Sequence, residues 1–123
     1  MKFLMYVHQL PQNLIGLLVI LFTGAKAETC CWYTSKFYFG VSLGNYIIFG
    51  GNYTINDLKH EQGHQKQSLY LGWLYLLLIG LPSVIRNIYD RIAHRNWNNV
   101  CRVEWYYSGF PENWADKLGG VRR

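Results

Sequence analysis

Apolar residues form a nearly continuous run close to the start of the chain. Residues 3–25 carry no formal charge with His8 neutral, and almost every residue from Leu14 to Ala25 is apolar. Twelve such residues are fewer than the roughly 20 that a helix needs to cross a bilayer. Pro11 suits the first turn of a helix, and Ala-Lys-Ala at 25–27 has the layout of a signal cleavage site. Segment 1–28 is therefore predicted as an apolar helix that is a membrane anchor, a cleaved signal or a packed core element.

Aromatic and β-branched residues dominate positions 29–49 and predict β structure. Gly44-Asn45 is a turn pair with a β-favouring flank on each side, so a hairpin is expected there. Its second strand contains Tyr46, Ile47, Ile48 and Phe49, and Gly-Gly-Asn at 50–52 ends it.

A helix is predicted to start near Asn56, because Thr54, Asn56 and Asp57 all suit an N-cap or a first turn. It should run to about Leu71, where Gly72 provides a stop.

This helix carries the pattern His60-Glu61-Gln62-Gly63-His64. Residues four apart are neighbours on a helical surface, with Cβ atoms roughly 5–6 Å apart, so His60 and His64 can converge on one metal ion. Glu61 can then reach a water at the metal and accept its proton. Gly63 costs the helix up to about 1 kcal/mol relative to alanine, which indicates that something packs or binds closely beside His64. Gln67 and Ser68 share the histidine face and are expected to pack or to lie on the surface, with a role at the site as the alternative.

The second half of the chain is predicted to be mostly helical. Leu69 to Ile85 is uncharged and interrupted by Pro82, which fits two buried core helices or a membrane-inserted segment. Val84 to Trp97 has an amphipathic pattern, whereas Val100 to Tyr107 is expected to be extended. Pro111 opens a short helix that Gly119-Gly120 closes.

That closing helix carries Glu112 and Asp116, four residues apart and so on one face. With the H-E-x-x-H pattern, this E-x-x-x-D pattern resembles the gluzincin (thermolysin-like) zinc metallopeptidases. The chain is also similar to small bacterial membrane-associated proteins that carry H-E-x-G-H-x-x-Q-S and W-A-D-x-L-G-G.

The gluzincin resemblance implies a role for each matching residue. His60, His64 and Glu112 would bind Zn²⁺, Glu61 would be the general base, and Asp116 would hydrogen-bond the outer nitrogen of a histidine ligand. Tyr46 to Phe49 would take the place of the strand with which a peptide substrate pairs. The candidates for the family's substrate-stabilising side chain are His94, Tyr106 and Tyr107.

Composition limits the classes of partner. Of 123 residues, 50% are hydrophobic and 17% aromatic, which excludes a disordered chain. The net charge is +5, and a solvated basic surface or contact with anionic lipid can account for it. No nucleic-acid motif accompanies the charge, so no nucleic-acid partner is expected. Seven of the basic residues lie in the C-terminal part: Arg86, Arg91, Arg95, Arg102, Lys117, Arg122 and Arg123.

The three cysteines, Cys30, Cys31 and Cys101, are an odd number and build no disulfide framework. No C-x-x-C is present, so a thiolate zinc site is not expected.

These observations predict an α+β protein, mostly helical with a short hairpin. Segment 1–28 would be the apolar helix and 29–123 a compact zincin-like domain. The expected function is a zinc metallopeptidase at a membrane that cleaves peptide or protein substrates. A non-enzymatic membrane-associated protein with a structural zinc site is the alternative, and a cytoplasmic or secreted location is the alternative to the membrane. The sequence does not specify an oligomeric state.

Overall fold

The computed structural model describes residues 2–28, 32–36 and 40–123. Their fold is α+β, mostly helical with one small mixed sheet, which confirms the predicted class. In chain order the elements are α1 Lys2–His8, α2 Leu10–Thr23, β1 Lys26–Ala27, β2 Trp32–Thr34, β3 Gly40–Leu43, β4 Tyr46–Phe49, α3 Ile55–Leu71, a 3₁₀ turn Gly72–Leu74, a π-helical turn Leu76–Gly80, α4 Leu81–Ala93, α5 Asn99–Ser108 and α6 Glu112–Gly119.

The sheet has the strand order β1-β2-β4-β3. The β3–β4 pair is the predicted hairpin, and Gly44 supplies its turn with a φ of 65° that favours glycine. β2 runs parallel to β4 on the other side, and β1 closes the sheet antiparallel to β2. Of the β structure expected over 29–39, residues 32–34 form β2, whereas 29–31 and 37–39 lie outside the described residues.

The apolar core among the described residues is small. Ile47 and Phe49 of β4 pack with Leu58 of α3, and Trp32 and Tyr53 cover this cluster. The sheet therefore supports the N-terminal part of α3, where His60 and His64 follow directly.

Helix α3 begins where its capping residues dictate. Thr54 is the N-cap, and its hydroxyl accepts a hydrogen bond from the Asp57 backbone N–H while the Asp57 carboxylate accepts one from the Thr54 N–H. This reciprocal capping box satisfies backbone donors at the helix start. The helix ends at Leu71 before Gly72, as predicted.

Polar side chains attach α2 to the rest of the molecule. Gln12 donates to the Ser68 hydroxyl at 2.8 Å and to the Gly72 carbonyl at 2.9 Å, and Ser68 in turn donates to Gln9 at 2.7 Å. Asn13 accepts from the Asn45 backbone N–H at the hairpin turn. Pro11 lies in the first turn of α2, as expected.

The region from Leu69 to Ile85 continues as a helix through the 3₁₀ turn and the π-helical turn, and Pro82 lies in the first turn of α4. By length and composition, no described helix meets the requirements for crossing a membrane alone. The pair α1–α2, bent by 87°, meets them only when both helices are counted together.

The prediction of extended structure from Val100 to Tyr107 was wrong, because Asn99–Ser108 is the helix α5. The Asn98 side chain caps it by accepting from the Cys101 N–H. Arg86 of α4 lies over the Trp105 ring and donates to the Trp105 carbonyl, which ties α5 to α4. This packing outweighs the β preference of the aromatic residues.

Candidate metal centre

Two glycines bring α6 into backbone contact with α3. A Cβ atom on Gly63 would lie 1.9 Å from the Ala115 carbonyl oxygen, and one on Gly119 would lie 1.9 Å from the Lys59 carbonyl oxygen. No larger residue fits at either position without separating the helices. The expectation of close packing beside His64 is therefore confirmed, and the packed element is the helix that carries Glu112.

His60, His64 and Glu112 form a buried group that could hold a metal ion. The Nε2 atom of His60 lies 2.9 Å from Glu112 Oε2, and that of His64 lies 3.0 Å from the same oxygen. Glu112 is fully buried.

Asp116 orients the first histidine. Its Oδ1 atom lies 2.7 Å from His60 Nδ1. Since an ionised carboxylate can only accept, Nδ1 carries the hydrogen, and Nε2 is the nitrogen turned toward Glu112.

Gln67 does the same for the second histidine, at 2.7 Å from its Oε1 to His64 Nδ1. The amide orientation is determined at its other end, where Nε2 donates to the Pro111 carbonyl at 3.1 Å. A carbonyl can only accept, so Oε1 must face the imidazole, which donates from Nδ1. Both histidines therefore present Nε2 to the same point.

The second oxygen of Glu112 is held separately. The Ser83 hydroxyl donates a hydrogen bond to Oε1, and the Tyr106 hydroxyl donates to it at 3.1 Å. These contacts fix the carboxylate and leave Oε2 directed at the two histidines.

This donor set fits a divalent cation. Two imidazole nitrogens and one carboxylate oxygen are the usual protein ligands of a three-ligand zinc site. Ligand atoms at about 2.0–2.1 Å from a tetrahedral ion lie roughly 3.3 Å apart. The observed separations of 2.9 and 3.0 Å from Glu112 Oε2 need only a small expansion.

The charges of the group are strongly coupled. Burial by itself would lower the pKa of the His64 imidazole, but the hydrogen bond to Glu112 and the nearby carboxylates outweigh it and raise that pKa to about 9. Burial would raise the pKa of the Glu112 carboxyl, but hydrogen bonds from His60 and His64 hold it well below its usual range. The site therefore concentrates negative charge that a cation or imidazole protons can neutralise.

Glu61 is buried beside this group, and its Oε2 atom has no hydrogen-bond partner in the described part of the chain. Its Oε1 atom is next to the backbone of β3, since a Cβ atom on Gly40 would lie 3.2 Å from it. Burial raises the pKa of the Glu61 carboxyl. A buried carboxylate with a free oxygen and a raised pKa suits a general base.

The group lies at the wall of a cavity of about 850 Å³. His60, Glu61, His64, Glu112 and Tyr107 line its polar end. Its apolar part is lined by side chains of α2 and α4, namely Ile15, Leu81, Val84 and Ile88.

Among the described strands, β3 and not β4 is the edge strand at this cavity. β4 pairs with β2 on one side and β3 on the other, so the expected substrate strand Tyr46–Phe49 has no edge for a further strand. Ile47, Ile48 and Phe49 are buried. Gly40, Val41, Ser42 and Leu43 of β3 all line the cavity.

Several residues have a role at the site that differs from the one expected from the sequence. Gln67, expected to pack or to lie on the surface, orients His64, and Ser68 joins the hydrogen bonds to α2. The signal for Gln67 was its position one turn after His64 on the same face. Ser83 lies on another helix, and nothing in the local sequence connects it with Glu112.

Three residues were candidates for substrate stabilisation: His94, Tyr106 and Tyr107. Of these, Tyr107 lies near the histidines and does not hydrogen-bond Glu112. Its ring packs edge-on against His60 at 5.0 Å between centroids. Tyr106 holds Glu112, and His94 stacks on Trp97 at the far end of α4.

Comparisons with protein-family models, with curated proteins and with solved structures find no match for this chain.

Proposed function

We propose that this protein is a zinc-dependent metallopeptidase. The observation that carries the proposal is the convergence of His60, His64 and Glu112 on one point beside the buried Glu61, whose Oε2 atom has no partner among the described residues. A metal site with only a structural role has no need for a free carboxylate at its open side. The cavity provides room for a substrate on that side.

When bound, the zinc ion supplies Lewis-acid chemistry, lowering the pKa of water and polarising a carbonyl oxygen. Glu61 accepts the proton of the attacking water and delivers it to the leaving amine, as its raised pKa and free oxygen allow. Asp116 and Gln67 keep both imidazoles in the tautomer that binds metal through Nε2.

The free edge of β3 suits an extended peptide. In a hairpin with a two-residue turn, Leu43 and Tyr46 form the hydrogen-bonded pair, so the backbone groups of Ser42 and Gly40 point away from β4. The Tyr75 hydroxyl already donates to the Ser42 carbonyl from that side, so a substrate strand pairs at the Gly40 end of this edge. There it passes Glu61, whose Oε1 atom lies beside Gly40.

Two measurements test the proposal. The purified protein should contain one zinc ion per chain by elemental analysis, and Glu112→Ala should lose it. Glu61→Gln should retain the zinc and lose at least 100-fold in peptide hydrolysis. Gln62→Ala, one residue further on and exposed, is the matched control and should leave both unchanged.

The results also separate the structural alternative. In the structural alternative, removing zinc unfolds the protein, whereas Glu61→Gln keeps the zinc and leaves the protein's function unchanged. That pair of results would show that the zinc only stabilises the fold. Absence of stoichiometric zinc and of any other bound divalent metal contradicts the proposal at its first step.

A further inference from the structure

Helix α2 has its polar side chains inside and its apolar ones outside. Its buried residues are Gln12, Asn13 and Gly16. Its exposed residues are aliphatic or aromatic, with Leu21 76% and Phe22 86% exposed. A helix packed on a water-soluble domain shows the opposite arrangement.

Helix α4 is arranged in the same way. Its single buried residue is Asp90, while its exposed residues include Leu81, Val84, Ile85, Ile88, Tyr89 and Ile92. The exposed positions recur every three or four residues and so form one stripe along the helix. The stripe continues backwards through Leu77 of the π-helical turn.

The two helices flank the same cavity, since Ile15 of α2 and Leu81, Val84 and Ile88 of α4 all line it. The exposed apolar side chains of α2 and α4 are called the apolar face from here on. Clusters of exposed apolar side chains commonly mark a surface that contacts a partner or a membrane.

The exposed parts of α3 and α6 carry polar side chains. Gln62 and Lys66 of α3 are exposed, as are Asn113 and Lys117 of α6. Ile55, Leu69 and Tyr70 of α3 are exposed as well, so α3 has a mixed surface, whereas the exposed residues of α2 are all apolar and those of α4 mostly so.

Two basic side chains lie at the C-terminal end of the α4 stripe. Arg91 and Arg95 are exposed at the C-terminal end of α4, and neither forms an ion pair with another described residue. Trp97, also exposed, follows them. Basic side chains and tryptophan next to an apolar stripe match the headgroup level of a bilayer with anionic lipid.

From the inverted polarity of α2 and α4 and these two basic side chains, we infer that the apolar face docks in a lipid bilayer. The α3–α6 side, with its exposed polar residues, remains in water. The cavity then opens toward the lipid between α2 and α4.

If the proposed function holds, this geometry also defines the substrate class. A peptide enters the cavity past Ile15 and Leu81 before it reaches Glu61, so it is an apolar segment held in the same membrane. This step rests on the proposed peptidase activity, whereas the docking itself does not.

The docking is tested with an environment-sensitive fluorophore on single cysteines, with the three native cysteines replaced by serine. Leu18→Cys and Ile85→Cys carry the label on the apolar face, and Gln62→Cys and Lys117→Cys are controls on the polar side. With phosphatidylcholine–phosphatidylglycerol vesicles, labels at 18 and 85 should shift to the blue and be quenched several-fold by brominated acyl chains. Labels at 62 and 117 should not respond.

A second measurement uses the unmodified chain. Vesicle flotation should recover most of the protein, and omitting phosphatidylglycerol should reduce the bound fraction several-fold at low salt. Brominated lipid should quench the tryptophan fluorescence, because Trp73 and Trp97 are exposed beside the apolar face. Arg91→Gln with Arg95→Gln should lose the dependence on phosphatidylglycerol and keep the fold by circular dichroism.

Two results overturn the docking. In one, the labels at 18 and 85 stay hydrated and the unmodified chain does not float. In the other, the labels are shielded without any lipid and light scattering shows a dimer, which means that a second copy of the chain covers the face.

The substrate class has its own test. Random-sequence peptides with a leucine-rich membrane tail, placed in the vesicles, should be cut at least tenfold faster than the same peptides without the tail. Equal rates overturn the substrate class. If neither set of peptides is cut, the proposed peptidase activity is contradicted. The docking in the bilayer is then still decided by the fluorescent labels.

Discussion

The backbone carbonyl of Ala115 occupies the space beside the Cα atom of Gly63, so close that a Cβ atom on Gly63 would lie 1.9 Å from its oxygen. This contact connects the two halves of the candidate site. Glu112 reaches the histidines because α6 can lie directly against the backbone of α3.

Gly63→Ala should therefore damage both the fold and the metal site. The added methyl has to push α6 away, which costs at least about 1–3 kcal/mol of stability, more than alanine gains as a better helix former. Urea unfolding measures the loss of stability, and chelator competition should show weaker zinc binding.

Gly80→Ala is the matched control for that variant. The nearest atom to a Cβ at Gly80 is 3.6 Å away, an ordinary van der Waals contact. Its stability should be unchanged or slightly higher. Equal behaviour of the two variants would show that the close helix contact does not hold the site together.

Gln67→Ala should weaken zinc binding without removing a ligand. The His64 ring loses the acceptor that fixes its tautomer and orientation, and such partners are typically worth 10–100-fold in metal affinity. Competition with a fluorescent zinc chelator at constant pH measures the change.

Gln62→Ala, on the exposed side of the same helix, should bind zinc as the wild type does. Gln67→Glu restores an acceptor at the same place and should recover part of the affinity. Full affinity in Gln67→Ala would mean that packing alone orients His64.

Arg123→Ala should destabilise the protein near α6, whereas its neighbour Arg122 should be replaceable. Arg123 donates to both Asp116 oxygens, at 2.6 and 3.0 Å, and lies over the Tyr107 ring. A partly exposed ion pair and a cation–π contact together contribute roughly 1 kcal/mol. Thermal unfolding of the two alanine variants should differ by several degrees, and identical melting would contradict a role for this contact.

Asp90 is expected to make the stability of the fold depend on pH in the acid range. Hydrogen bonds from Arg102, and secondarily from His94, outweigh burial and hold the pKa of the Asp90 carboxyl below its ordinary value. A lowered folded-state pKa adds stability above the unfolded value of about 4, which is lost as pH falls through the folded pKa.

Asp90→Asn should consequently be less stable than the wild type at pH 6, and the difference should shrink as pH falls toward 3. Urea midpoints across this range measure it. A difference that stays constant with pH would show that Asp90 acts through its shape, not through its charge.

Local patterns sufficed for many elements of this fold. Thr54 with Asp57 specified the start of α3, Gly44-Asn45 the hairpin turn, and Pro111 with Gly119-Gly120 the limits of α6. Each depends on backbone hydrogen bonds within a few residues, so the local sequence contains the necessary information. Helix α5 was missed because contacts with α4, such as Arg86 with Trp105, outweigh its local β preference.

The residues of the candidate site can be identified from local spacing, since a helix puts His60 with His64 and Glu112 with Asp116 on single faces. That these faces meet depends on packing between distant segments, because α6 approaches α3 through the space left by Gly63 and Gly119. The tertiary structure also decided the partners of the ligands, since Ser83 and Tyr106 reach Glu112 from other helices. The substrate strand was expected at β4, but the edge strand at the cavity is β3. Local sequence does not reveal this, because strand order is set by the pairing of distant segments.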